Sequence, residues 1–208
     1  MKYYLAYGSN LSVAQMLRRC PDAYYVGKAS LENMQLQFRG SKTGSYLTVE
    51  PCEGQTVPCL VWAVSREDER NLDMYEGFPK FYQKKNIKLP AEGFVKGFSG
   101  MIHAFYYFMT GARPIGLPTT DYWLTCSQGY KRFGFDEAIL EAALYRTLLL
   151  EGEYAYGMKY RGFSPGCQPK EDFVGVTDDP LKKYHDVLIY ERELTQEELD
   201  DYELAKIS

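Results

Sequence analysis

Two short stretches of this chain hold residue types that could do chemistry. The first, "YGSN" at 7–10, places Gly8, Ser9 and Asn10 between an apolar run and a helical pattern. Consecutive backbone N–H groups near a helix start form a concavity for an anion or a developing oxyanion, and glycine removes the Cβ that would block close approach. The same residues also suit a tight turn in which Ser or Asn satisfies its own backbone, so the loop alone leaves both readings open. The second stretch, "RNLDMYEGFPKFY" at 70–82, puts Glu76 at a helix exit beside Tyr75, Phe78, Phe81 and Tyr82. Desolvation by those rings raises a carboxyl pKa and makes a better base near neutral pH. A solvated surface glutamate is the alternative, and this segment alone does not choose.

Other chemistries lack their residues. His103 and His185 do not sit at ligand spacing with other ligand types, and five cysteines (Cys20, Cys52, Cys59, Cys126, Cys167) show no CxxC pattern, so neither a metal site nor a disulfide framework is expected. Cys52 and Cys59 could face each other across a hairpin, but reduced thiols are the simpler expectation. No GxSxG elbow, papain-type signature, GxGxxG or Walker pattern occurs, so no nucleophilic triad, nucleotide or other cofactor is implied. Tyr106, Tyr107 and Phe108 read as sheet packing, because adjacent strand residues face opposite sides.

The elements that must position the two stretches follow from periodicity. "YYLAY" at 3–7 predicts a first strand, and Ser12 with Gln15 predicts a capping box opening a helix to about Arg19. Segments 23–38 and 45–50 alternate as strands, "EGQT" reads as a turn, and 58–65 is a denser buried run. Ser65 with Asp68 caps a helix to Asp73 or Met74, ended at Gly77-Phe78-Pro79. Strands at 81–89 and 101–109 and helices at 119–133 and 136–152 follow. Helices gathering after strands predict an α+β fold. Residues 154–183 turn to Gly, Pro and isolated aromatics and predict a long loop or a partly ordered extension before a strand near 185–193 and an acidic helix capped by Thr195 and Glu198. Two parts result: a domain at 1–153 and an extension at 154–208 packed on it, as a structural wrap burying Tyr156, Tyr160 and Phe163.

Composition narrows the partners. The chain has 19 Tyr and 11 Phe, which predicts rings lining a pocket or interface. The net charge of −4 divides into −8 from residue 171 onward (12 acidic, 4 basic) and +4 before it. Neither part has the dense basic stripe that a nucleic-acid backbone would call for. No window approaches the ~20 apolar residues that span a bilayer, and no leader-like segment opens the chain, so a soluble, cytoplasmic protein is expected.

Taken together, the two stretches are more specific than either. Tyr7-Gly8-Ser9-Asn10-Leu11 after a first strand, followed by "PCLVWAVSREDERNLDMYEG", which carries Glu76 next to its end, resembles the γ-glutamylcyclotransferase family over about residues 1–150. The resemblance implies a small mixed β-barrel with flanking helices. It implies an enzyme that closes the γ-glutamyl group of a small molecule into 5-oxoproline and expels the amine. Tyr7, Gly8, Ser9, Asn10 and Leu11 would hold the γ-glutamyl portion, Glu76 would be the general acid/base, and Tyr82 and Tyr122 would line the pocket. Asn10 looks more like the γ-glutamyl peptide and amine branches than the glutathione-degrading branch, which carries Leu directly after YGS. A non-catalytic module binding a small carboxylate or peptide terminus on the same scaffold is the alternative.

Overall fold

The computed structural model describes residues 1–41, 44–94 and 98–207. Two compact units divide the chain, Met1–Ala143 and Leu144–Ser208. Composition had placed the boundary at 153/154, because its shift to Gly and Pro comes only after Tyr154.

In the first unit, strands β1 (Lys2–Ala6), β2 (Tyr24–Ser41), β3 (Gly44–Val64), β4 (Gln83–Gly93) and β5 (Ser99–Phe108) close into a barrel of order β1-β3-β2-β4-β5. The fold is thus α+β with a mixed barrel. All pairs are antiparallel except the closing one, β1 with β5, where Tyr3 faces Ala104 and Tyr4 faces Phe105. Leu5, Leu36, Phe38, Leu60, Val61 and Trp62 are fully buried. Burying each such side chain contributes about 1.5–3 kcal/mol.

Strand β3 runs unbroken through "EGQT", which is therefore strand and not a turn. The extra residues are absorbed as a bulge: the register with β2 shifts between Glu32 and Met34, and Gly54 N–H donates to Asn33 Oδ1 at 3.0 Å. Cys52 and Cys59 consequently lie on one strand, with Cys59 opposite Ala29, and all five cysteines are free.

Helices α1 (Val13–Arg19), α2 (Arg66–Tyr75), α3 (Thr120–Phe133) and α4 (Glu137–Tyr145) follow the predicted order. The capping box at Ser12 does not form, because Gln15 Oε1 accepts from Arg19 Nη2 at 2.9 Å instead. The box at α2 does form: Asp68 N–H donates to Ser65 Oγ at 3.1 Å, and Ser65 N–H donates to Asp68 Oδ2 at 2.9 Å. Helix α4 stops well short of residue 152; Thr147 Oγ1 donates to the Leu144 carbonyl at 2.6 Å and a single 3-10 turn, Arg146–Leu148, follows.

The second unit has its own four-stranded sheet, order β7-β8-β6-β9, formed by β6 (Tyr154–Met158), β7 (Phe173–Thr177), β8 (Val187–Tyr190) and β9 (Leu204–Lys206). Two of these strands lie in the segment expected to be a long loop or a partly ordered extension. Tyr156, Met158, Leu188, Tyr190, Leu194 and Leu204 make its core, with Phe163 packed against it, while Tyr160 is exposed and does not join it. Helix α5 (Gln196–Asp201) carries the predicted Thr195–Glu198 box but ends earlier than expected, which frees Leu204 for β9. Among the described residues no helix is long and apolar enough to cross a membrane.

One close approach fixes the N-terminal loop on this frame. A Cβ at Gly129 of α3 would lie 2.4 Å from Leu11 Cβ, so only glycine lets that helix meet the loop. Gly129→Val should therefore lower stability by about 1–3 kcal/mol through overpacking, despite valine's ordinary helix compatibility. Urea unfolding of both chains measures this.

Candidate active site

The loop after β1 is a single 3-10 turn, Ser9–Leu11, in which Leu11 N–H donates to the Gly8 carbonyl at 2.9 Å. The Ser9 and Asn10 amides precede that first bond and have no acceptor within the turn. Close packing explains the glycine: a Cβ on Gly8 would sit 3.2 Å from Tyr122 Oη and 3.6 Å from Leu47 Cβ.

Glu76 is placed by the end of α2. It is the last residue of helical backbone, its N–H donating to the Leu72 carbonyl at 2.8 Å. Gly77 then takes φ +63, a left-handed conformation that a side chain resists. Phe78 N–H donates to the Asp73 carbonyl at 2.9 Å and Gly77 N–H to the Met74 carbonyl at 3.2 Å, a Schellman ending. The chain reverses immediately after the carboxylate.

Loop and glutamate meet directly. Asn10 Nδ2 donates to Glu76 Oε1 at 2.9 Å and to Tyr4 Oη at 2.9 Å, while Arg19 Nη1 donates to Asn10 Oδ1. The Arg19 guanidinium also lies 3.6 Å from the centre of the Tyr75 ring. Burial pushes the Glu76 carboxyl up to about 7; the Arg19 charge and the Asn10 hydrogen bond pull the other way but do not offset it.

Tyr4, Asn10, Tyr75 and Glu76 border one cavity of about 410 Å³. Of the residues expected in the site, Tyr7, Gly8, Ser9, Asn10, Glu76, Tyr82 and Tyr122 all line it. Leu11 does not: it is fully buried and packs toward Gly129, so it anchors the loop from behind. Tyr75 and Phe81, expected beside Glu76, line it too, whereas sequence reasoning missed Tyr4, Tyr46, Leu47 and Tyr107, which also line the cavity. Tyr107, expected only to pack the sheet, reaches it from β5. The sole signal for these rings was the tyrosine-rich composition, which carries no position.

The tyrosines are tied to the frame through their hydroxyls. Tyr7 donates to the Tyr107 carbonyl at 2.6 Å, Tyr82 to the Leu47 carbonyl at 2.8 Å, and Tyr107 to Asp73 Oδ1 at 2.7 Å. Leu47 N–H donates to Tyr122 Oη at 3.1 Å. A half-enclosed aromatic chamber with one carboxyl titrating near neutrality can move a proton on a small ligand. Among the described residues no group of three or more His, Cys, Asp or Glu is arranged to hold a metal ion.

The opposition between burial and Arg19 gives a direct check. Arg19→Met should raise the Glu76 carboxyl above its parent value, because the lowering charge is gone while burial remains. A carbon-detected NMR titration of the Glu76 side chain reads the midpoint, and an unchanged or lowered midpoint would contradict this electrostatic account.

Comparison with known proteins places this geometry. A family model described as gamma-glutamyl cyclotransferase, AIG2-like, matches residues 4–125, and one described as defence against restriction A C-terminal matches residues 151–208. A search of curated proteins finds no match. Among solved structures, a gamma-glutamyl cyclotransferase is similar at 25% identity and a TM-score of 0.56, over 72% of this chain and 88% of that one. An uncharacterized protein from Homo sapiens is similar at 24% identity and a TM-score of 0.55, over 72% and 88% of the two chains. YkqA from Bacillus subtilis, at 17% identity and a TM-score of 0.52, is covered over 55% of its length by 72% of this chain. The last two likenesses concern the fold alone. With its model match spanning more than half of the chain, from the first strand through the Glu76 segment into α3, this protein belongs to the gamma-glutamyl cyclotransferase, AIG2-like family.

Proposed function

We propose that this protein closes the γ-glutamyl group of a γ-glutamyl amino acid, amine or capped metabolite into 5-oxoproline and releases the amine. The observation that carries the reading is the Asn10–Glu76 hydrogen bond, 2.9 Å, which sets a carboxyl with a pKa of about 7 against the loop amides inside an aromatic chamber.

The substrate brings its own nucleophile, so few protein groups are required. An α-amine with a pKa near or above ~8 is largely protonated at pH 7. Ionised Glu76 takes a proton from that ammonium, and the freed nitrogen lone pair attacks the γ-carbonyl carbon. A C–N bond forms, closing the five-membered ring, and the carbonyl electron pair moves onto oxygen. Glu76 passes its proton to the departing nitrogen and, ionised again, takes the second proton from the ring nitrogen; as the oxyanion collapses the original amide C–N bond breaks, and the released amine picks up the proton left on Glu76. No water is consumed. A carboxyl near 7 suits both halves, since proton transfer in each direction is close to thermoneutral.

The described residues lining the cavity include no lysine or arginine. The substrate α-carboxylate therefore falls to the open amides of Ser9 and Asn10 at the start of the turn, where an anion is stabilised without a charged side chain. Tyr46, Phe81 and Tyr122 press on the extended substrate and favour the folded conformer, in which the reacting atoms approach to about 3–3.5 Å. Every group invoked lies within Met1–Ala143.

The test is a panel of γ-glutamyl dipeptides, γ-glutamyl-ε-lysine, glutathione and γ-glutamyl polyamines, assayed for 5-oxoproline. At least one should be turned over, and Glu76→Gln should lower that rate by about 10²–10⁴-fold while retaining ligand binding. No product from any member removes the proposal, and a fully active Gln variant removes the mechanism.

A further inference from the structure

We infer that Tyr4 is a further catalytic residue of this site, its hydroxyl donating a hydrogen bond to the substrate's γ-carbonyl oxygen as that oxygen gains negative charge. The inference rests on the cyclotransferase reading above. Its starting point is the orientation of one amide.

Arginine can only donate hydrogen bonds. Because Arg19 Nη1 meets Asn10 Oδ1, the Asn10 amide must present its oxygen to Arg19 and its nitrogen to the other side. Both hydrogens of that nitrogen are then spent, one on Glu76 Oε1 and one on Tyr4 Oη, each at 2.9 Å. Tyr4 is thus held as an acceptor, and its single hydrogen has to point elsewhere. No described residue takes it. Three other tyrosines of the cavity differ in this respect, since Tyr7, Tyr82 and Tyr107 donate to protein oxygens.

Tyr4 is 5% exposed and lines the cavity, so the residual exposure of this ring lies toward the ligand space. Its orientation is fixed by a stacked contact with Phe105 at 5.5 Å and an edge contact with Tyr107 at 5.7 Å. An unspent buried donor is costly in the resting fold, and a ligand oxygen satisfies it. Burial holds the phenol well above its ordinary value, so the proton stays on Tyr4 and the group remains a donor.

The spacing suits the reaction. Two acceptors on one planar NH2 group, each at 2.9 Å, stand roughly 5 Å apart. Glu76 can then reach the attacking amine while Tyr4 reaches the carbonyl oxygen, with the reacting nitrogen and carbon in contact between them. Tyr4 transfers no proton in this scheme. It stabilises the oxyanion, and the proton transfers run through Glu76.

Tyr4→Phe keeps the ring and removes only the hydroxyl. On the best substrate of the parent, kcat should fall about 10²–10³-fold with KM changed less than about threefold, as expected for a donor that acts in the transition state. The thermal midpoint should stay within a few degrees of the parent, and Tyr122→Phe, whose hydroxyl accepts from Leu47 and spends its own hydrogen on the Cys126 side chain, should lose less kcat than Tyr4→Phe. A kcat loss below about tenfold, a loss confined to KM, or a larger kcat loss in Tyr122→Phe overturns the assignment while leaving cyclotransferase activity standing. Loss of cooperative unfolding in Tyr4→Phe would place the hydroxyl in the fold and also overturn it. A parent that makes no 5-oxoproline from the panel overturns the functional reading and this inference with it.

Discussion

The hydrogen bond from Asn10 to Glu76 joins residues 66 apart in the chain, and the rest of the site depends on it. A strand exit and a helix exit must arrive within 2.9 Å of each other, and each arrival has its own cause. On one side Leu11, seated on Gly129, holds the loop against α3. On the other, the Ser65–Asp68 box starts α2 and the left-handed Gly77 stops it, so that Glu76 is delivered at a defined end. Arg19 then settles which way the Asn10 amide faces, because a guanidinium offers no acceptor.

Seven of the 19 tyrosines line the cavity, and their number has an electrostatic consequence. Rings exclude water while the hydroxyls of Tyr7, Tyr82 and Tyr107 tie strands and helices together behind them. In that setting burial dominates the Glu76 carboxyl and lifts it from 4.5 to about 7, against the charge of Arg19. A proton acceptor matched to neutral pH is thus a product of the packing and not of a neighbouring base. The same packing costs the fold stability when Glu76 is ionised, since a raised carboxyl pKa supports folding only while the proton is bound.

How much of this could be read from the sequence varies by element. Helix α2 was legible at both ends, because Ser65, Asp68 and Gly77 act through local backbone hydrogen bonds that sequence spacing encodes directly. Strands β1 to β5 were legible in type, but the Glu53–Gln55 bulge mimicked a turn because Gly54 serves both. The site was legible as Gly8–Asn10 plus Glu76. Tyr4, Tyr46 and Tyr107 were not, since which face of a closed barrel a ring occupies depends on register with strands far away in sequence. Arg19 was invisible for another reason: it meets Asn10 only once α1 has folded back on the loop, and its charge then acts on Glu76 through space. Strands β6 and β7 were missed because Gly157 and Gly175 dilute the alternation that marks a strand.

The central claim is that Glu76, tuned by burial, is the group whose proton moves during ring closure. The pH dependence of kcat/KM for 5-oxoproline formation tests it most directly, since the acid limb reports the essential base of the free enzyme. Activity should be low where Glu76 is protonated and rise with pH through a midpoint of about 7, coincident with the Glu76 carboxyl titration. An acid limb centred near the ordinary glutamate value, or one that survives unchanged in Glu76→Gln, would contradict the account.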